Sequence, residues 1–175
     1  SDEEFKSIED AVKRSRETDQ VCWLNVVGLH DTSIIEYLVE KEQLHKLSGE
    51  DILSIGQRPK IDEYESYIHI VASMIMLDDS MIATEQLSIL IYEGLIISFQ
   101  EETGDVFDHV RKRLKEGKGQ IRKRGADYLG YALLDALVDQ YFVILEHFGD
   151  QIENLEETLL IKPSENILNE LYAVR

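Results

Sequence analysis

The chain has 175 residues, 43% hydrophobic and 30% charged, with a formal net charge of −17 and a pI near 4.6. That size and balance describe one globular domain with a proper core and room for an appendage, not a disordered chain. The acidic field repels nucleic acid and anionic membrane surfaces and draws in cations or basic partners. A single cysteine, Cys22, excludes an internal disulfide framework and fits a reducing compartment. The N-terminus, Ser1-Asp-Glu-Glu, is acidic and lacks the apolar segment of a signal peptide. The longest nearly uncharged run, about Tyr67 to Leu77, is far short of the ~20 residues that span a bilayer, so the chain reads as soluble by itself.

In chain order, residues 3–16 carry Phe5, Ile8 and Val12 at helical spacing and predict a short amphipathic helix. Cys22-Trp-Leu-Asn-Val-Val27 reads as a buried strand stopped by Gly28. Asp31-Thr-Ser can cap a helix carrying Ile34, Ile35 and Leu38. Leu44 to Ile55 predicts a second short helix, with Ser48 as its cap and Glu50-Asp51 in its first turn, and Gly56 to Lys60 a loop. Three β-rich segments follow: Ile61 to Met76, Met81 to Tyr92 and Leu95 to Gln100, with turns at Asp78-Asp-Ser80 and at Glu93-Gly94. Val106 to Leu114 looks helical, and Lys115-Glu-Gly-Lys-Gly119 breaks it. From about Ile121 to Ile161 the pattern is one long helix without Pro, a length that suggests a stalk or coiled arrangement. Pro163-Ser164 ends it and caps a last helix, still in pattern at Arg175, as though the chain were cut there.

The most informative residue is Asp135, in the apolar stretch Tyr128-Leu-Gly-Tyr-Ala-Leu-Leu-Asp-Ala-Leu-Val138. Helical spacing sets Tyr131, Leu134, Val138 and Phe142 beside it, which predicts a carboxylate in a buried stripe. Burying it alone costs several kcal/mol or neutralises it. Nothing basic lies one turn away, and Asp139 adds only a second negative charge. A cation, another subunit or a polar loop should satisfy Asp135.

Other charged groups are less specific. Glu50-Asp51 at a helix N-terminus is explained by the macrodipole; alternatively these hard oxygen ligands, meeting Asp135 or a neighbouring subunit, bind magnesium or calcium. The run Arg111-Lys-Arg, Lys115, Lys118 and Arg122-Lys-Arg124 lacks interleaved aromatics and reads as a solvated balance to the acids. Glu146, Asp150, Glu153, Glu156 and Glu157 form an acidic helix tip, by default solvated. The five histidines show no zinc spacing, and His69 on a strand reads as a satisfied wall residue. No nucleophile motif, P-loop or dinucleotide fingerprint occurs, so nothing favours an enzyme.

Several stretches together resemble the N-terminal cytoplasmic domain of the CorA family of magnesium and cobalt channels. They are Trp23-Leu-Asn-Val-Val-Gly-Leu-His30, Glu50-Asp-Ile-Leu53, Gln57-Arg-Pro-Lys60, Glu85-Gln-Leu-Ser-Ile-Leu90, Ser98-Phe-Gln-Glu101, Gly104-Asp-Val-Phe-Asp108 and Leu134-Asp-Ala-Leu-Val-Asp139. The resemblance covers roughly residues 21–160 in one order. It implies an α/β fold in which a mixed β-sheet is sandwiched between helical layers, followed by long paired C-terminal helices. By domain this is an α/β cytoplasmic part over 1–120 and a helical stalk over 121–175. It further implies a homopentamer on the cytoplasmic face of the cell membrane, whose pore is built by two downstream transmembrane helices; the family's Gly-Met-Asn pore signature is absent here. Regulatory Mg2+, also the transported ion with Co2+ possible, would bind at subunit interfaces. Glu50, Asp51 and Asp135 match the family's metal ligands, and a further aspartate of the adjoining subunit's stalk would lie beyond Arg175. The alternatives are a structural scaffold that assembles the pentamer without sensing ions, and the domain of a zinc-transporting relative.

Overall fold

The computed structural model describes residues 3–78, 81–117 and 119–161. Two compact units make up the chain, Ser1–Leu137 and Val138–Arg175. The first contains α1 (Ile8–Arg16), β1 (Cys22–Val27), α2 (Ser33–Lys41), α3 (Lys46–Leu53), β2 (Lys60–Glu63), β3 (Tyr67–Asp78), β4 (Met81–Tyr92), β5 (Leu95–Gln100) and α4 (Asp108–Glu116). The long helix α5 (Ala126–Ile161) begins in the first unit and continues through the described part of the second.

The strands form one mixed sheet in the order β1-β5-β4-β3-β2. β1 runs parallel to β5, with Cys22 opposite Leu95 and Val27 opposite Gln100, and every other pair is antiparallel. Alternation along the strands sends side chains to two apolar layers. On one face Ile70, Met74, Leu87, Ile89 and Ile96 meet Phe107 at the N-cap of α4, Val110 of α4, Ile121 of the following loop, and Leu129, Leu133 and Leu137 of α5. On the other, Tyr67, Leu90, Leu95, Ile97 and Phe99 meet Ile35 and Leu38 of α2, Leu44, and Ile52 of α3. Covered on both sides, β5 is buried at all six positions, which is why Leu-Ile-Ile-Ser-Phe-Gln reads as a continuous run and not an alternation. The mixed sheet between helical layers is as the resemblance implies. The pairing of the C-terminal helices, and the last helix after Pro163, lie outside the described residues.

Three local expectations are corrected. The stretch from Ile61 to Met76 is two strands, because the chain turns at residues 64–66 and lays β2 antiparallel on β3. The α3 cap is His45, whose Nδ1 accepts the Leu47 amide at 3.2 Å. Ser48 is instead inside the helix and shares a 2.8 Å hydrogen bond with the Tyr67 hydroxyl. Glu50 and Asp51 therefore sit in the C-terminal half of α3, so the macrodipole does not explain them. The long helix starts at Ala126, five residues later than its apolar pattern, and Ile121 packs into the core from the preceding turn.

By length and composition α5 passes as a membrane span, with a window of mean hydropathy 1.3 between Ala126 and Leu160. Leu129, Leu133 and Leu137 on it are nonetheless core residues of the first unit, and buried core helices share that composition. Over the second unit the helix exposes Phe142, Val143 and Leu145 as well as the acids Glu146, Asp150, Glu153, Glu156 and Glu157. Its internal polar contacts are local, such as Gln151 with His147 at 3.0 Å.

Candidate metal centre

Asp51 and Asp135 occupy opposite sides of the sheet. Asp51 projects from α3, the layer that covers Tyr67, Leu90 and Ile97, whereas Asp135 is on α5, the layer over Met74, Leu87 and Ile96. Within one chain the three residues expected at the site are not brought together: Glu50 and Asp51 are neighbours and Asp135 is remote from both.

Asp135 is not buried. It lies on the exposed side of α5, where the Tyr131 hydroxyl donates to its Oδ1 at 3.3 Å, and Tyr131 itself is 60% exposed. The buried side of the same helix is Leu129, Ala132, Leu133 and Leu137. The apolar residues flanking Asp135 in the helical pattern, Tyr131 and Val138, form the uncovered stripe, and the small and branched residues offset from them form the core. Apolar residues on both stripes made the helix look buried all round; Ala132, too small to dominate the pattern, marks the true inner face.

Glu50 is exposed, and its main-chain carbonyl accepts the Ser54 amide at 2.8 Å. Asp51 faces inward along the sheet edge with its side chain 18% exposed. The Lys60 ammonium donates to its Oδ2 at 2.6 Å and reaches Asp62 Oδ2 at 3.0 Å. These two carboxylates hold the Lys60 ammonium above its ordinary range, Asp51 through the strongest hydrogen bond and Asp62 next. With Lys60 about a third exposed, such a bridge is worth about 1 kcal/mol or less.

The register of β2 on β3 pairs Asp62 with His69. Both therefore point to the α3 side, and one ligand atom each from Asp51, Asp62 and His69 lies within 4.8 Å of the others. His69 is fully buried, and neither Nδ1 nor Nε2 has a hydrogen-bond partner. Burial pushes its pKa below the ordinary histidine value, only partly opposed by Asp51. The expectation of a satisfied wall histidine is thus corrected: it is in the wall but unsatisfied. Sequence reasoning missed Lys60 and Asp62, although the period-2 spacing of Lys60 and Asp62 across a short turn from His69 was the available signal. A surface cavity of about 890 Å3 lies elsewhere, between α1, β1 and α4; Arg14, Arg111 and Arg122 line it with Trp23, and Glu3 is the one carboxylate in its described lining.

Taken together, the features are those of an α/β domain with surface carboxylates on both flanks of its sheet, continued into a long acidic helix. The chain belongs to the family of CorA-like Mg2+ transporter proteins, whose model matches residues 18–175. It is 39% identical over 175 residues to the cobalt/magnesium transport protein CorA of Thermotoga maritima, covering 98% of this chain and 50% of that protein. The fold matches the soluble domain of CorA from Methanocaldococcus jannaschii with a TM-score of 0.67 at 20% identity, over 86% of this chain and 60% of that one. It matches the ZntB cytoplasmic domain from Vibrio parahaemolyticus about as well, with a TM-score of 0.66 at 17% identity, over 86% and 59%. The chain spans about half the length of the curated relatives it matches.

Proposed function

We propose that this chain is the N-terminal cytoplasmic domain of a CorA-type divalent-cation transporter and that it senses intracellular Mg2+ through carboxylates at the interfaces of a homopentamer. The transported ion in this reading is Mg2+, with Co2+ as a second substrate, and the membrane-spanning helices lie further along the same polypeptide. Family membership supports transport. The observation that carries sensing is the separation of Asp51 and Asp135 on the two flanks of one sheet, with both carboxylates reachable from outside the core. Two such groups share an ion only when the flank of one copy faces the opposite flank of the next.

The donor set fits the ion. Mg2+ prefers oxygen ligands and keeps several waters, so one or two carboxylates from each subunit suffice. When bound, Mg2+ supplies positive charge between two acidic surfaces. Asp51 must loosen its bond to Lys60 to contribute, and Asp135 is oriented by the Tyr131 hydroxyl. At low Mg2+ the acids repel across the interface and the subunits separate, so the ion stabilises whichever assembly binds it better. The test is a chain extended past Arg175 through the remaining stalk, with light scattering and thermal melting followed across a Mg2+ titration. Wild type should gain mass and stability, and Asp51→Ala combined with Asp135→Ala should lose the gain. An unchanged response in the double variant refutes the assignment of these residues.

A second reading, a scaffold that assembles the pentamer without sensing, is favoured by one specific observation: both aspartates already have protein partners, Lys60 and Tyr131. It predicts assembly indifferent to Mg2+. The ZntB cytoplasmic domain shares the fold to a similar TM-score, so fold alone does not decide between a magnesium and a zinc transporter for this chain.

A further inference from the structure

We propose that Asp51, Asp62 and His69 form a binding site for a divalent transition-metal ion within a single chain, with the Lys60 ammonium as its built-in competitor. The site goes beyond the interface reading: it needs no second subunit, it includes a nitrogen ligand, and it shares only Asp51 with the Mg2+ carboxylates.

His69 carries the argument. A buried imidazole normally donates one N–H and accepts at the other nitrogen. His69 does neither, although it is completely enclosed between the sheet and α3. Its ligand atom is within 4.8 Å of a carboxylate oxygen from each of Asp51 and Asp62. Metal–nitrogen and metal–oxygen bonds of about 2.0–2.2 Å require donors about 3–3.5 Å apart, so closing the site draws the donors together by about 1–2 Å at most. The backbone is well placed to hold it. Asp62 and His69 face each other across the β2–β3 ladder, and α3 is tied to the sheet by Gln86, which donates to the Asp51 carbonyl at 2.9 Å, and by the Ser48–Tyr67 bond.

Lys60 shows that the position already accommodates a cation. Its ammonium sits between Asp51 and Asp62 at 2.6 and 3.0 Å. A third of its side chain reaches solvent, so it can swing out into water when an ion takes its place. The donor chemistry fixes the class of ion. One imidazole and two carboxylates suit Co2+, Ni2+ or Zn2+, whereas Mg2+ and Ca2+ favour oxygen alone.

Cobalt(II) chloride is the probe, because its visible d–d bands and its paramagnetic broadening of 15N-labelled histidine rings report direct ligation. Titrating the 175-residue chain should give one tight equivalent, with the His69 ring broadened first among the five histidines. His69→Phe and Asp62→Asn should each weaken Co2+ at least tenfold. Lys60→Met should tighten it several-fold by removing the competitor. Circular dichroism identifies any variant that fails to fold; Asp62, on an edge strand, gives a second route should His69→Phe be lost. Co2+ binding that is absent, or equal in wild type and Asp62→Asn, overturns the proposal, as does broadening confined to His30, His45, His109 or His147. Because the assay uses no added stalk and no Mg2+, its failure leaves the interface reading untouched, and failure of the interface test leaves this site untouched.

Discussion

At the scale of single residues, many of the side chains that carry the family resemblance have a structural task. The Glu101 and Glu102 amides both donate to Glu85 Oε1, the latter at 3.0 Å, which pins the end of β5 to β4. Gln100 donates to the Glu102 and Gly104 carbonyls, Asp105 accepts the Phe107 amide that opens α4, and Arg111 grips Asp105 while lying 5.1 Å from the Trp23 ring centroid. These contacts tie scattered positions of the sequence into one end of the sheet. They leave Tyr92 as an exception, its hydroxyl enclosed without a partner above the row of Tyr64 and Tyr67 rings. Burial raises its pKa above the ordinary value of 10. A group raised in the folded state stabilises fully below its unfolded pKa, so this contribution is intact below about pH 10 and lost as pH climbs past it. Tyr92→Phe should therefore flatten the fall in the urea midpoint as pH rises above about 10, and at pH 7 should be neutral or stabilising by up to about 1 kcal/mol. Clear destabilisation at pH 7 would reveal a partner for the hydroxyl.

At the scale of elements, β4 and β5 were legible as β-rich runs split by the Glu93-Gly94 turn, whereas the turn between β2 and β3 was not; Gly94, at φ +76°, adopts a conformation its Glu93 neighbour need not. The α5 helix was legible in length and misread in orientation. Its apolar residues occupy more than one stripe, and periodicity alone cannot say which of two apolar stripes meets a sheet. Gly130 would have decided it. A Cβ there would meet Ile91 Cδ1 at 2.5 Å, so the helix backbone approaches β4 at that point. Gly130→Ala should gain up to about 1 kcal/mol in helix propensity but lose more to overlap, a net cost of about 1 kcal/mol. In an Ile91→Val background the same change should be neutral or stabilising, a coupling of about 1 kcal/mol or more that chemical denaturation can measure. Additive effects would place Gly130 away from the sheet. On the inner face, Leu133→Ala, at a fully buried position, should cost about 2–5 kcal/mol.

At the scale of the whole molecule, the candidate site was legible only as a set of acids. Adjacent Glu50 and Asp51 and the helical Asp135 are visible in one dimension. Their location on opposite flanks of a sheet is a property of the topology, which depends on β5 pairing in parallel with β1 across nearly 70 residues of chain. The cross-strand approach of His69 to Asp62 depends in the same way on the turn that separates β2 from β3. The two proposed cation positions, one needing a neighbouring copy and one complete within the chain, both draw on Asp51. Lys60→Met should then sensitise both, lowering the Mg2+ needed for half-maximal assembly of an extended chain as well as tightening Co2+. A variant that strengthened neither would show that Lys60 does not compete at Asp51.

The central claim is that Asp51 and Asp135 join neighbouring copies through Mg2+. Its most direct measurement is the solution mass of a chain extended past Arg175 through the stalk, by light scattering, in Mg2+ and in chelator, for wild type and for the Asp51→Ala, Asp135→Ala pair. The account predicts a pentameric mass for wild type in Mg2+, a smaller mass in chelator, and the smaller mass for the double variant under both conditions. Equal masses for wild type and double variant in Mg2+ would contradict it.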